Sequence, residues 1–127
     1  MTTFYLNEKT VRDAAMIANE YLENTEKMNT QMIAATDGTY VIQARAKGGK
    51  LKQWAGLDKV VTVRLKNVNN EYVNVEIGSG KWIDKGIAMT VSMFVLWPLA
   101  VTSGYGMYKQ GTLPGKIARA IEAGLNN

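Results

Sequence analysis

Apolar and polar residues alternate along this chain with three different rhythms, and each predicts a different element. Between Asn7 and Asn24, the residues Val11, Ala14, Ala15, Ala18, Tyr21 and Leu22 recur at steps of three and four, the spacing of an amphipathic helix. Thr10 and Asp13 are spaced as a capping pair near its start. Arg12, Asp13, Glu20 and Glu23 form the opposite, solvated face. The period then falls to two. Thr30 to Ala35 and Thr39 to Ala46 read as strands joined at Asp37 and Gly38, a dipeptide suited to a tight hairpin. Val60 to Val68 and Tyr72 to Ile77 read as a second hairpin, turning at Asn69 and Asn70. One side of that hairpin carries Val61, Val63, Leu65, Val73, Val75 and Ile77, and the other Thr62, Arg64, Lys66, Asn74 and Glu76. This predicts a sheet with one buried face and one wet or partner-binding face. Near the C-terminus, Leu113, Ile117, Ala120, Ile121 and Leu125 return to helical spacing.

The third rhythm is the absence of one. From Gly86 to Tyr108 no residue carries a formal charge, and Ile87, Met89, Val91, Met93, Phe94, Val95, Leu96, Trp97, Leu99 and Val101 point all round any helix drawn through them. A helix that is apolar on every side needs a complete apolar shell. A bilayer span takes about 20 such residues, so the length permits one. Pro98 divides the run, which predicts a kinked apolar helix or a helical hairpin. Lys81, Trp82 and Lys85 precede it, Trp97 lies within it, and Lys109 follows it, resembling the aromatic and cationic belts of a membrane interface. The competing reading buries the run inside a water-soluble α+β domain. There the shell would come from the sheet, from identical subunits or from an apolar ligand.

The expected fold is therefore α+β: an N-terminal helix, a four-stranded antiparallel sheet, the kinked apolar segment and a C-terminal amphipathic helix. All of it belongs to one domain over residues 1–127, because no repeat, low-complexity tract or linker divides the chain. MTTFYLNEKT has no basic region leading into an apolar stretch, so no secretion signal is expected; the expected location is the cytoplasm or the cytoplasmic face of the membrane.

Composition narrows the chemistry. The 127 residues include no cysteine and no histidine, which removes disulfides, thiol nucleophiles, imidazole bases and thiolate or imidazole metal sites. Asp58, Glu71, Glu76 and Asp84 are scattered in sequence and define no acid–base pair. No catalytic residues, metal or cofactor are assigned, and the chain is expected not to be an enzyme. The formal charge of +4 is concentrated in the middle of the chain. Arg45, Lys47, Lys50 and Lys52, followed by Trp54, surround a glycine-containing connection, and Arg64 and Lys66 lie on the polar side of the second hairpin. These residues are candidates for anionic headgroups or other phosphates. A solvated basic loop accounts for the same pattern. Nucleic-acid binding is the weaker version, since neither a recognition helix nor paired aromatics on neighbouring strands accompany the charge.

Two short motifs are set aside. GSGKW at 78–82 lacks the glycine spacing and the hydroxyl residue of a phosphate loop. VTSGYG at 101–106 resembles a potassium-filter loop only in part and lacks a spanning helix on each side. YVIQAR (40–45), GLDKVVTVRL (56–65), EIGSGKWIDK (76–85) and WPLAVTSGYGMYKQGTLPGKI (97–117) resemble a loose group of small bacterial proteins of unknown function, over most of residues 38 to 121. That resemblance implies no activity. The expectation is a non-enzymatic bacterial protein that associates with the cytoplasmic membrane through 86–108, its partners being membrane lipid or a second copy. The alternatives are a soluble homo-oligomeric scaffold or apolar-ligand-binding domain, and nucleic-acid binding through the 45–54 loop.

Overall fold

In the computed structural model, which describes residues 2–35, 37–46, 60–80, 82, 97–98 and 112–127, helix α1 (Val11–Glu20) begins at the predicted cap. The Thr10 hydroxyl accepts from the Asp13 backbone N–H at 3.1 Å, and the Asp13 carboxylate accepts from the Thr10 backbone N–H at 2.9 Å. Each group satisfies a donor that a helix start leaves open. Ahead of the cap, Asn7 and Glu8 have φ of 56° and 70°, a left-handed turn that cannot continue into a helix. At the other end α1 relaxes into a π-helical turn, Tyr21–Thr25, closed by the Glu26 N–H donating to the Tyr21 carbonyl.

The sheet is the expected antiparallel one, with more strands than expected. β1 (Thr2–Tyr5), β2 (Met28–Ala34), β3 (Tyr40–Ala46), β4 (Val60–Val68) and β5 (Tyr72–Gly80) lie in the order β1-β5-β4-β3-β2, and a two-residue strand β6 (Trp97–Pro98) also pairs with β5. Among the described residues the four-strand expectation is thus corrected to five strands and a short sixth. β1 offers only four residues, too few for an alternation to be read, yet Phe4 and the following Leu6 are both buried. The hairpin at 35–39 places Gly38 at φ +89°, where a Cβ would be strained, and Asn69 and Asn70 both adopt positive φ in the second turn.

The helical expectation for the apolar run is corrected where it can be compared. Trp97 and Pro98 are extended, opposite Ser79 and Gly78 of β5. Proline has no N–H to give a ladder, and an edge position tolerates that loss. The remainder of 86–108 lies outside the described residues.

Helix α2 (Leu113–Leu125) starts at Thr112, whose hydroxyl accepts from the Gly115 N–H, with Pro114 in the first turn. Ile117, Ile121 and Leu125 are buried as predicted; Ala118 is buried beside them, while Ala120 is only partly covered. Both helices cover one face of the sheet. There Ala14, Ala18, Leu22, Ile117 and Ile121 join Ile42, Val63, Leu65, Val73 and Val75 in a single apolar cluster. Gly124 makes the helix–helix approach possible, since a Cβ there would stand 2.7 Å from Ile17 side-chain atoms.

Candidate functional site

The register gives the sheet two unlike ends. Val68 pairs with Tyr72 and Ala34 with Tyr40, so the short turns gather at one end. Met28 pairs with Ala46 and Val60 with Gly80, so the strand ends flanking residues 47–59, and the end of β5 that precedes residues 81–111, lie together at the other. Helix α2 respects the same polarity. The Leu125 carbonyl at its last turn accepts from the Asn7 amide at 3.2 Å and from the Lys9 ammonium at 3.3 Å. Lys9 shares a cleft with Gly38, Asn67 and Asn70 of the short turns. Thirteen helical residues lead back about 20 Å along the axis to Thr112, toward the end that bears Gly80. Both flanks of the basic connection and both flanks of the segment containing the apolar run thus converge on one pole.

At that pole two candidates from separate stretches meet. The Arg45 guanidinium carbon lies over the Trp82 ring, 4.0 Å from its centroid, a cation–π contact that orients a half-buried indole beneath an exposed cation. Lys47, Lys50, Lys52, Trp54, Lys81, Lys85 and Lys109 lie outside the described residues, as do Asp58 and Asp84; of Trp97 only the backbone pairing is described.

Arg64 and Lys66 share the sheet face of Arg45 but not its surroundings. Arg64 forms an ion pair with Glu76 across β4 and β5 at 2.6 Å, so its charge is met within the sheet. Lys66 is exposed and lies six residues from Val60 along β4, about 20 Å from the pole. Glu71 sits in the exposed turn. Between these charges and β2 runs a feature that alternation did not reveal. Gln31 (5% exposed) donates from Nε2 to Gln43 Oε1 at 2.8 Å, and Gln43 (1% exposed) donates from Nε2 to Thr62 Oγ1 at 3.2 Å. The face predicted to be wet is therefore buried at its centre, with Val41 and Val60 covered beside this amide row. The sequence signal was present in the polar residues placed opposite one another on three strands, but their partners emerge only with the register.

A cleft of about 300 Å³ opens at the far end, lined by residues including Lys9, Thr10, Arg12, Tyr40, Asn67 and Asn70. Its polar groups are largely engaged: Lys9 on α2, Thr10 on Asp13, Asn67 and Asn70 on each other. Among the described residues there is no cluster of three acidic groups able to hold a metal and no helix long and apolar enough to cross a membrane. No protein-family model, curated protein or solved structure matches the chain.

Proposed function

We propose that this chain is a non-enzymatic protein that attaches to the cytoplasmic face of a membrane, its α+β body in water and the pole at which the strands flanking residues 47–59 end turned to the lipid. The observation that carries the reading is the convergence of the flanks of residues 47–59 and 81–111 on one end of the sheet. It unites an uncharged run with the flanks of a basic connection, the pairing that interfacial attachment uses: apolar contact supplies the depth and cations the attraction to anionic headgroups. In this arrangement Trp82 and Trp97 act at the headgroup level. Lys81, Lys85 and Lys109 bracket the run, and Arg45, Lys47, Lys50, Lys52 and Trp54 face anionic lipid. Arg64, already paired, and the distant Lys66 are left out.

The strand at Trp97–Pro98 favours attachment at one face over a single straight crossing. It ties the middle of the run to β5, and a helix of the eleven residues before it would reach only about 16 Å, half of a bilayer's apolar core. The nucleic-acid alternative is left with the 45–54 loop alone, since Arg64 is paired with Glu76 and Lys66 is remote.

Cell fractionation tests the reading. The full chain should sediment with membranes, remain there through a high-salt wash and dissolve in detergent. A monodisperse, lipid-free protein recovered from the soluble fraction without detergent would overturn it.

A further inference from the structure

We propose that Asp37–Gly38 is a latent isomerisation site: the closed hairpin between β2 and β3 preserves this bond as an ordinary aspartyl peptide, and opening of the turn exposes it to conversion to isoaspartate. Asp37 is the one aspartate or asparagine of the chain followed directly by glycine. A glycine carries no side chain to shield its own backbone nitrogen. In the reaction the Gly38 nitrogen attacks Cγ of the protonated Asp37 carboxyl. A bond from nitrogen to Cγ forms, the amide proton and the carboxyl hydroxyl leave as water, and a five-membered succinimide results. Water then reopens the ring. Breaking the new bond restores aspartate, whereas breaking the original bond from nitrogen to the Asp37 main-chain carbonyl carbon gives isoaspartate. Composition is unchanged overall, and water is the one co-reactant.

In the folded chain both reacting groups are engaged elsewhere. The Gly38 N–H donates to the Ala35 carbonyl at 3.1 Å, and Asp37 Oδ1 accepts from the Thr39 N–H at 3.0 Å. The Ala35 N–H donates to the Thr39 carbonyl at 2.7 Å and closes the turn around them. Ring closure requires the Gly38 nitrogen and the Asp37 carboxyl to leave these partners together. The Thr39 backbone N–H is also the chief cause that holds the Asp37 carboxyl below its usual range, so the neutral acid, which is the form that reacts, is scarcer in the closed turn. Crowding does not supply the protection. Gly38 stands at φ +89°, and beyond its chain neighbours no atom of the described residues lies within 4 Å of where its Cβ would be. The hydrogen bonds therefore decide the rate, and their hold ends when the turn opens.

The product cannot rebuild that turn. Isoaspartate inserts a methylene into the main chain between Asp37 and Gly38 and makes a side chain of the former main-chain carboxyl. The spacing that joins Ala35 to both Gly38 and Thr39 is then lost. Strand pairing resumes at once beyond the turn, Ala34 opposite Tyr40, so the longer connection strains the β2–β3 register.

The full-length chain is incubated in native buffer and, in parallel, in guanidinium chloride at the same mildly acidic pH and temperature. Isoaspartate in the peptide containing Asp37 is then quantified by chromatography and fragmentation mass spectrometry. The native chain should accumulate it roughly tenfold or more slowly, because two hydrogen bonds have to open first. Asp37→Asn retains an acceptor for the Thr39 N–H and turns the ring closure into one that expels ammonia, which a gain in mass reports. It should show folded-state protection of the same order, which separates the hydrogen bonds from the protonation of the carboxyl. After refolding, the isoaspartate form should have a lower urea midpoint than the unmodified chain. Equal rates in the folded and unfolded chain, an Asp37→Asn variant that reacts as fast folded as unfolded, or an isoaspartate form with an unchanged midpoint would each overturn the inference. These readouts need no membrane, so this proposal and membrane attachment can fail separately.

Discussion

Single side chains here carry duties that differ in how openly the sequence states them. The Thr10–Asp13 capping box was legible because its two members are three residues apart and its geometry is local. Thr10→Ala should cost about 1 kcal/mol of stability in chemical denaturation. The carboxyl of Asp13 is held below its usual range chiefly by the Thr10 backbone N–H, and that of Asp37 chiefly by the Thr39 backbone N–H. A carboxylate with a depressed folded value contributes stability that is present above its unfolded pKa and is lost as pH falls through the lower folded value. The urea midpoint should therefore drop on acidification below about pH 4, and Asp13→Asn should flatten that dependence. The amide row was not legible. Gln31, Gln43 and Thr62 stand 12 and 19 residues apart, and only their register makes them neighbours. Gln43→Ala should destabilise by roughly 2–4 kcal/mol, since it opens a cavity and leaves the groups on either side short of a partner. Gln43→Glu is a second comparison, because it preserves the volume but replaces the amide that donates to Thr62 with an ionisable carboxyl at a buried position.

At the scale of elements, long periodic segments were readable and short ones were not. α2 and the β4–β5 hairpin fall close to where apolar spacing put them, because one buried face imposes its period on eight or more residues. β1 and β6 have four and two residues, and the partner that makes them strands is far away in sequence. The run containing Trp97 read as a helix because continuous apolar residues have no period of their own, so length alone had to decide. Contacts between elements were equally hidden. Nothing local marks Gly124 as the place where α2 meets α1, yet a Cβ there would intrude on Ile17. Gly124→Ala should be destabilising by about 1–3 kcal/mol despite alanine's better helix propensity. Ile17→Ala in the same chain should recover part of the loss, and a double-mutant cycle of thermal midpoints checks that coupling.

For the whole molecule, the useful asymmetry is that turns gather at one pole and the flanks of the basic and apolar segments at the other. The sequence contained both segments and the chemistry of each; the strand register was needed to bring their flanks together. If that pole faces lipid, each lysine near an anionic surface contributes on the order of 1 kcal/mol, so Lys50→Gln/Lys52→Gln should weaken binding to anionic vesicles by about twenty- to thirtyfold. Binding to neutral vesicles should hardly change, and co-sedimentation separates the two. β1 adds a consequence in time. Its partner on β5 lies some seventy positions downstream, Thr2 opposite Val75, so a chain growing on the ribosome has made its first strand long before anything exists for that strand to join. The hairpins from β2 to β5 can zip successively as they emerge, while β1 waits, unpaired, until β5 has followed it.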